Sequence, residues 1–322
     1  MKVEWLDGLD SGPEDNSRSV LSIGGFDGVH RGHQFLIGCA ANEATEGALE
    51  TVVMTFDPLP ALLLAPGSGV KALTDIEERL ALLAALPVDT CAVLRFRDEI
   101  AHVEAEDFLR SIVSRFNVAS LWAGADFGFG HRRSGNVDLL RRLQSDLRYQ
   151  LHVVPRQTFA DQQLSSSHIR QLVEAGEIVE GNRLLGHCFT VSGTIVRGAG
   201  RGRELGFPTA NLEVEPHHVV PATGIYAGHA TLGSSRHGAA ISVGYNPTFG
   251  RNPLSVEAYL LDFDEDIYDR RLQLDFEDRV RDELTFGSIK DLVQQMGRDV
   301  ERVRELLQVE SPASAEWVGS LE

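Results

Sequence analysis

The chain changes texture near Gly186. Before it, short apolar runs alternate with helix-length amphipathic segments. After it, residues 187–286 show two-residue alternation and frequent turn signals, with no clear helix. One sheet cannot satisfy both patterns. The first predicts an α/β domain, a parallel sheet with helices on both faces. The second predicts a small antiparallel barrel. At 322 residues the chain is long enough for two domains, and the expected division is 1–186 and 187–322.

In the first part the predicted strands are 20–23, 51–56, 90–96, 118–124 and 151–154. Helices are expected over 75–86, with Thr74 as N-cap and Pro87 as stop, and over 104–116. Two shorter ones follow at 166–175 and 178–185, ended by Gly176 and Gly186. The second part closes with a helix over 288–307. Its apolar positions Ile289, Leu292, Val293, Met296, Val300, Val303 and Leu307 fall three or four apart, and Ser288 with Asp291 resembles an N-terminal cap. Residues beyond about 309 are expected to fray.

Composition narrows the function. Hydrophobic residues make up 43% of the chain, enough for full cores. No run approaches the roughly 20 apolar residues of a membrane span. The start, MKVEWLDGLDSGPEDNS, is acidic where a signal peptide is basic, so export is not expected. Cys39, Cys91 and Cys188 stand far apart without a C-x-x-C, which indicates neither a disulfide framework nor a zinc cluster. A reducing, cytoplasmic compartment is expected. The net charge of −17 argues against nucleic acid as a main partner. Phosphate ligands remain open, because local dipoles and a few basic residues capture them. Basic residues gather among glycines at His131-Arg132-Arg133 and from Arg197 to Arg203. Each run reads either as a solvated turn or as a phosphate-contacting loop.

Three segments carry chemistry. The first is Ser22-Ile-Gly-Gly-Phe-Asp-Gly-Val-His-Arg-Gly-His33, a strand end, a glycine turn and a helix start. Gly24, Gly25 and Phe26 form the turn a nucleotide would approach. His30 and His33 can donate to a phosphate beside the free N–H groups of the helix end. A bare His-x-x-His would read as a surface pair or half a metal site; the strand and glycine context points to polyphosphate. This loop, the T-F-D-P-L-P run at 55–60 and the 124–130 segment with Asp126 all follow strands, at whose carboxyl ends ligands bind in parallel sheets. The second segment holds Ser166, Ser167 and Arg170 at a helix start, either an ordinary cap or a grip on the β- and γ-phosphates.

The third runs from Gly198 to Asn211, GAGRGRELGFPTAN. Gly198, Gly200 and Gly202 can close a backbone flap over phosphates. Thr209 and Asn211 offer neutral oxygens suited to a Mg²⁺ ion that keeps most of its waters. Glu257 sits in an apolar, β-branched strand. A strand glutamate usually faces solvent, but opposite a magnesium–phosphate site it becomes a candidate base for a substrate hydroxyl.

Eight segments stand in matching order: GGFDGVHRGHQ, TFDPLP, GADFGFGHRRSG, LSSSHIRQLVEAGEI with RLLG, RGRELGFPTANL, GIYAG, NPTFG and VEAYLLDFDEDIYDRRLQLDF. Together they resemble the bifunctional bacterial riboflavin kinase/FAD synthetase family over residues 19–307. The resemblance implies a Rossmann-like nucleotidyltransferase domain followed by a riboflavin kinase barrel. Riboflavin would be phosphorylated to FMN, and FMN adenylylated to FAD with release of pyrophosphate. It implies ATP as co-substrate and magnesium for both steps, with no nucleic-acid or membrane partner. By that match His30, His33, Asp126, Ser166, Ser167 and Arg170 belong to adenylyl transfer. Thr209, Asn211 and Glu257 belong to the kinase, Glu257 as base. The chain departs from the family pattern in places. Leu59 replaces the histidine of T-F-x-P-H-P, Ser167 and His168 replace Thr and Arg of S-S-T-R-I-R, and Glu265 and Asp269 stand where glycines are frequent. An alternative is therefore a riboflavin kinase whose N-terminal domain binds nucleotide without transferring it.

Overall fold

The computed structural model describes residues 1–9, 17–65, 67, 69–198, 200–245 and 254–308. The N-P-T-F-G run at 246–250 and the tail expected to fray beyond 309 lie outside the described residues. Two compact units divide between Ser166 and Ser167.

The first unit is a six-stranded, all-parallel sheet. Its strands are β1 (Lys2–Leu6), β2 (Ser19–Ile23), β3 (Glu50–Asp57), β4 (Thr90–Arg95), β5 (Val118–Gly124) and β6 (Gln150–Val154), in the order β1-β4-β3-β2-β5-β6. Helices α1 (Arg31–Gly47), α2 (Pro60–Leu64), α3 (Ile76–Ala84), α4 (Asp98–Ala101), α5 (Ala105–Arg115) and α6 (Val137–Leu147) connect them. Alternate strand residues feed two apolar layers. Val52, Met54 and Leu94 pack with Leu109, Ile112 and Leu140, whereas Val53, Cys91 and Val93 pack with Ile37 and Leu83 on the opposite face. The chain runs outward from β2 through β3 to β4, then returns to build β5 and β6 on the other side. The strand order thus reverses between β2 and β5, and the loop after β2 opens at that switch point.

Two details differ from expectation. The N-cap of α3 is Asp75, not Thr74: Asp75 Oδ1 accepts from the Glu78 amide at 2.7 Å while Glu78 Oε2 accepts from the Asp75 amide at 2.9 Å. Thr74 is drawn away by the loop after β2, as described below. The sheet also gains a short edge strand, β1, whose five residues KVEWL were not expected to form one.

A two-residue ladder joins β7 (Thr158–Phe159) to β8 (Gln162–Gln163). The second unit contains α7 (Ser166–Glu174, all but its first residue), α8 (Ile178–Leu185) and a closed antiparallel barrel. The barrel strands are β9 (Phe189–Val196), β10 (Ala210–Val214), β11 (Gly224–Leu232), β12 (Ser235–Tyr245), β13 (Leu254–Leu260) and β14 (Arg271–Arg281), closing as β10-β13-β12-β11-β14-β9. The compact units divide twenty residues before the expected functional boundary at 186, and Asn182 ties α8 to the barrel. Its side chain donates to the Phe276 carbonyl at 2.8 Å and accepts from the Phe189 amide at 2.6 Å, bolting α8 to β14 and β9. Gly176 and Gly186 end their helices with positive φ, 79° and 82°.

Inside the barrel, Val191, Ile195, Tyr226, Ile241, Val256, Ala258, Leu274 and Phe276 are buried. Between β9 and β10 a one-turn helix, α9 (Arg201–Glu204), interrupts a region expected to be free of helix. The terminal helix α10 (Ile289–Leu307) starts from Ser288, whose hydroxyl accepts from the Asp291 amide at 3.2 Å. It packs Val300, Val303, Leu306 and Leu307 on the barrel wall, and Asp299 grips Arg281 of β14 at 2.6 and 2.9 Å. No helix among the described residues is long and apolar enough to cross a membrane.

Candidate active sites

On β10 and β13 the buried residues alternate with half-buried ones, so Leu212 and Val256 face the barrel core while Asn211 and Glu257 face outward. The antiparallel register sets Asn211 directly opposite Glu257. Directly paired residues share a face with Cβ atoms about 5 Å apart, so register alone brings an amide and a carboxylate together. Thr209, one residue before β10, donates its hydroxyl to Glu257 Oε2 at 2.9 Å. The Asn211 amide nitrogen lies 3.5 Å from the Thr209 carbonyl, which leaves Oδ1 as the acceptor of that side chain.

A cavity of about 210 Å³ opens over this trio. Gly198, Gly200, Gly202, Arg201, Arg203, Pro208 and Tyr268 complete its lining. Gly198 has a steric reason to be glycine: a Cβ there would fall 2.4 Å from Asn211 Nδ2. Every kinase residue predicted from sequence therefore meets at one cavity. Tyr268 was not foreseen; its ring lies under the Arg197 guanidinium, 4.6 Å from carbon to centroid. It belongs to a turn, where neither period marks a residue as inward-facing.

The first unit builds its site differently. After β2 the backbone takes positive φ at Phe26 (46°), Gly28 (76°) and Val29 (37°). A β-branched residue in that region is costly, so the surroundings must hold it there. Gln34 Nε2 donates to the Val29 carbonyl at 2.8 Å, and Thr55 Oγ1 donates to the Gly25 carbonyl at 3.1 Å. Gly24 donates to the Met54 carbonyl at 3.1 Å. Asp27 turns inward, where Oδ1 accepts from the amides of Leu73 and Thr74 at 2.8 and 3.2 Å.

His30 caps α1, its Nδ1 accepting from the His33 amide at 3.4 Å. The two imidazoles stack with centroids 3.6 Å apart, and the Phe26 ring meets His33 edge-on at 5.2 Å. Burial pushes His33 well below the ordinary histidine range, and the charges of His30 and Arg79 push it the same way. His33 is therefore a neutral imidazole at pH 7, and its buried Nδ1 has no hydrogen-bond partner. Of the two histidines expected from sequence to donate to a phosphate, one caps the helix and the other is an uncharged ring.

Ser166 joins this loop, donating to the Asp27 carbonyl at 2.9 Å. Asp126 stands exposed just beyond β5, 3.5 Å from Arg156. Ser167 and Arg170 follow Ser166 on α7, in the second unit.

The FAD synthetase family model matches residues 12–168, and the riboflavin kinase model matches residues 185–307. A bifunctional riboflavin kinase/FMN adenylyltransferase from Listeria monocytogenes is 35% identical over 287 residues, covering 88% of this chain and 91% of that one. The chain belongs to this bifunctional family. The protein of the same name from Escherichia coli is 33% identical and covers 97% of this chain and 99% of its own. Among solved structures, one from Streptococcus pneumoniae titled a macrolide-efflux protein matches with a TM-score of 0.84 and 30% identity, covering 94% of this chain.

The departures from the family pattern now have places. Leu59 is buried at 7% exposure, and a Cβ on Gly25 would lie 3.3 Å from its Cδ2, so it packs an apolar group against the loop. Asp269 adopts φ 62°, a left-handed conformation in which glycine carries no Cβ penalty. A residue that sequence reasoning passed over beside this loop is Arg79, 2% exposed on α3. Its signal was present: it stands three residues after Ile76 and four before Leu83, inside the helix's apolar stripe.

Proposed function

We propose that this family member carries out its two reactions in separate functional domains, 1–186 and 187–322, with the residues assigned as follows. In the barrel, Glu257 takes the proton from the ribityl 5′-hydroxyl of riboflavin as that oxygen attacks the γ-phosphorus of ATP, and ADP leaves. Thr209 orients the carboxylate through its hydrogen bond, and the loop of Gly198, Gly200 and Gly202 covers the phosphates. The donor set suits magnesium delivered with ATP. Thr209 and Asn211 supply neutral oxygens, and no cluster of three His, Cys, Asp or Glu side chains among the described residues forms a cage of its own. Thr209 and Asn211 would hold such an ion, which would supply charge neutralisation on the phosphates. The observation that carries the kinase assignment is the Thr209–Glu257–Asn211 cluster under the glycine loop.

In the first unit a phosphate oxygen of FMN attacks the α-phosphorus of a second ATP, and pyrophosphate leaves. Positioning and charge stabilisation supply the catalysis. The N-terminus of α1 and the neutral His33 imidazole face the α-phosphate as charge builds, with His30 fixing the start of the helix. Ser166 anchors the neighbouring helix start, whose Ser167 and Arg170 take the β- and γ-phosphates by motif; Asp126 lies at the same carboxyl edge of the sheet. The domains divide functionally as 1–186 and 187–322. Leu59 is a packing residue in this reading, and no observation favours the kinase-only alternative.

Incubating the protein with riboflavin and Mg-ATP, then separating products by chromatography, tests the reading. FMN should appear first and FAD after it. FMN alone would restore the kinase-only alternative, and neither product would overturn both assignments.

A further inference from the structure

Arg79 is a buried cation whose hydrogen bonds run to neutral acceptors. Nη1 donates to the Phe56 carbonyl at 2.8 Å and to Thr55 Oγ1 at 3.3 Å; Nη2 donates to the Thr74 carbonyl at 3.3 Å, and Nε to Thr74 Oγ1 at 3.5 Å. A leucine at this point of the apolar stripe would pack with no charge to desolvate, so stability alone gives little reason for an arginine. The two hydroxyls it touches explain it better. Thr55 Oγ1 donates to the Gly25 carbonyl at 3.1 Å, and Thr74 Oγ1 accepts from the Gly28 amide at 3.2 Å. Thr74 Oγ1 also lies 3.4 Å from Asp27 Oδ1. One guanidinium thus reaches both ends of the left-handed turn through one threonine at each end.

We propose that Arg79 is a positioning residue for adenylyl transfer, clamping the 25–28 turn through Thr55 and Thr74 and so setting where His30 and His33 stand. This inference rests on the assignment of adenylyl transfer to the first unit. The clamp has an electrostatic side. His30 at the helix cap and Arg79 from α3 are the charged or titratable groups that act on His33. Around Arg79 stand Asp27 of the loop, Asp57 at the end of β3, Asp75 at the cap of α3 and the Cys91 thiol of β4. Burial pushes that thiol up to about 12, so it carries no charge. Removing the guanidinium while those carboxylates remain lets His33 bind a proton more readily. Its pKa then rises, though burial and His30, the larger causes, still hold it low.

Full-length Arg79→Met and Arg79→Lys test this, with riboflavin phosphorylation in the barrel as an internal control. Arg79→Met should lower the kcat for FMN adenylylation about 10–100-fold, the range seen when groups that orient an active residue are removed. Riboflavin phosphorylation should stay within about twofold of wild type, a bound set by the barrel's being a separate domain. By NMR the His33 ring should titrate at a higher pH than in the wild type. Arg79→Lys keeps the charge but not the planar fork, so His33 should titrate as in the wild type while the rate falls by less. Wild-type adenylylation in Arg79→Met overturns the clamp, as does a His33 titration it leaves unmoved. Should Arg79→Met not fold, Thr55→Val removes only the hydroxyl between Arg79 and Gly25. A wild-type adenylylation rate there overturns the proposal, and a loss with phosphorylation intact supports it. If the wild type itself forms no FAD, the assignment of the first unit fails, and the His33 titrations still decide whether Arg79 governs that ring.

Discussion

The two candidate sites are built by opposite constructions. In the barrel, Asn211 and Glu257 meet because two strands pair in register, and Thr209 needs only to precede one of them. The apolar interior supports the strands but contributes no atom to the site. In the first unit, no pair of strands sets the geometry. A left-handed turn at the sheet's switch point is held by Thr55, Thr74 and Arg79, which come from two other segments of the chain. A site made by register should be sensitive chiefly to its own residues. One made by a strained, clamped loop should also be sensitive to buried residues that never touch substrate.

The largest effect that could break this contrast belongs to the barrel. Glu257→Gln should lower FMN formation by about 10²–10⁴, as for a lost general base. FAD formation from supplied FMN should continue, measured by product chromatography. Riboflavin phosphorylation at the normal rate would remove Glu257 from the mechanism. Next, His33→Ala should cost FMN adenylylation about 10²–10³, the usual loss for one donor to developing charge. FMN should then accumulate from riboflavin; continued FAD formation would mean that the imidazole is only a packing group.

A smaller effect sharpens the comparison at the flap. Gly198→Ala forces the Asn211 amide to move, because the new Cβ would lie 2.4 Å from Nδ2. The magnesium concentration needed for half-maximal phosphorylation should rise about tenfold, the low end of what disturbing a ligand's support costs. An unchanged magnesium dependence would give Asn211 a structural role only. The smallest effect concerns backbone strain alone. Asp269→Gly should raise barrel stability by about 0.5–1 kcal/mol, the left-handed penalty less the entropy cost of glycine. Denaturant unfolding of the full chain would report it, and a loss of stability would show that Asp269 makes a contact worth more than its strain.

These two constructions also explain what was legible in the sequence. The barrel was readable from its alternation, which marks Val256, Ala258 and Leu260 as inward and so places Glu257 outward beside the glycine loop proposed as its flap. The Rossmann-like sheet was readable from its apolar runs, and the two C-cap glycines from their position. Arg79 was hidden because the helix pattern is scored on apolar residues, so a charge inside the stripe reads as noise until its partners are known. The neutral state of His33 was hidden for a similar reason: enclosure by Phe26 and His30 is a property of the folded loop. The attachment of α8 to the barrel through the two hydrogen bonds of Asn182 was hidden as well, because no composition shift announces it.

The central claim is that each proposed functional domain, 1–186 and 187–322, carries one complete, separable step. Mixing equal amounts of the His33→Ala and Glu257→Gln proteins with riboflavin and Mg-ATP tests it most directly. Alone, the first should stop at FMN and the second should leave riboflavin unconverted. Together they should produce FAD, because FMN released by the intact barrel of one protein is adenylylated by the intact first unit of the other. A mixture that makes no FAD, or a single variant that loses both activities, would contradict the account.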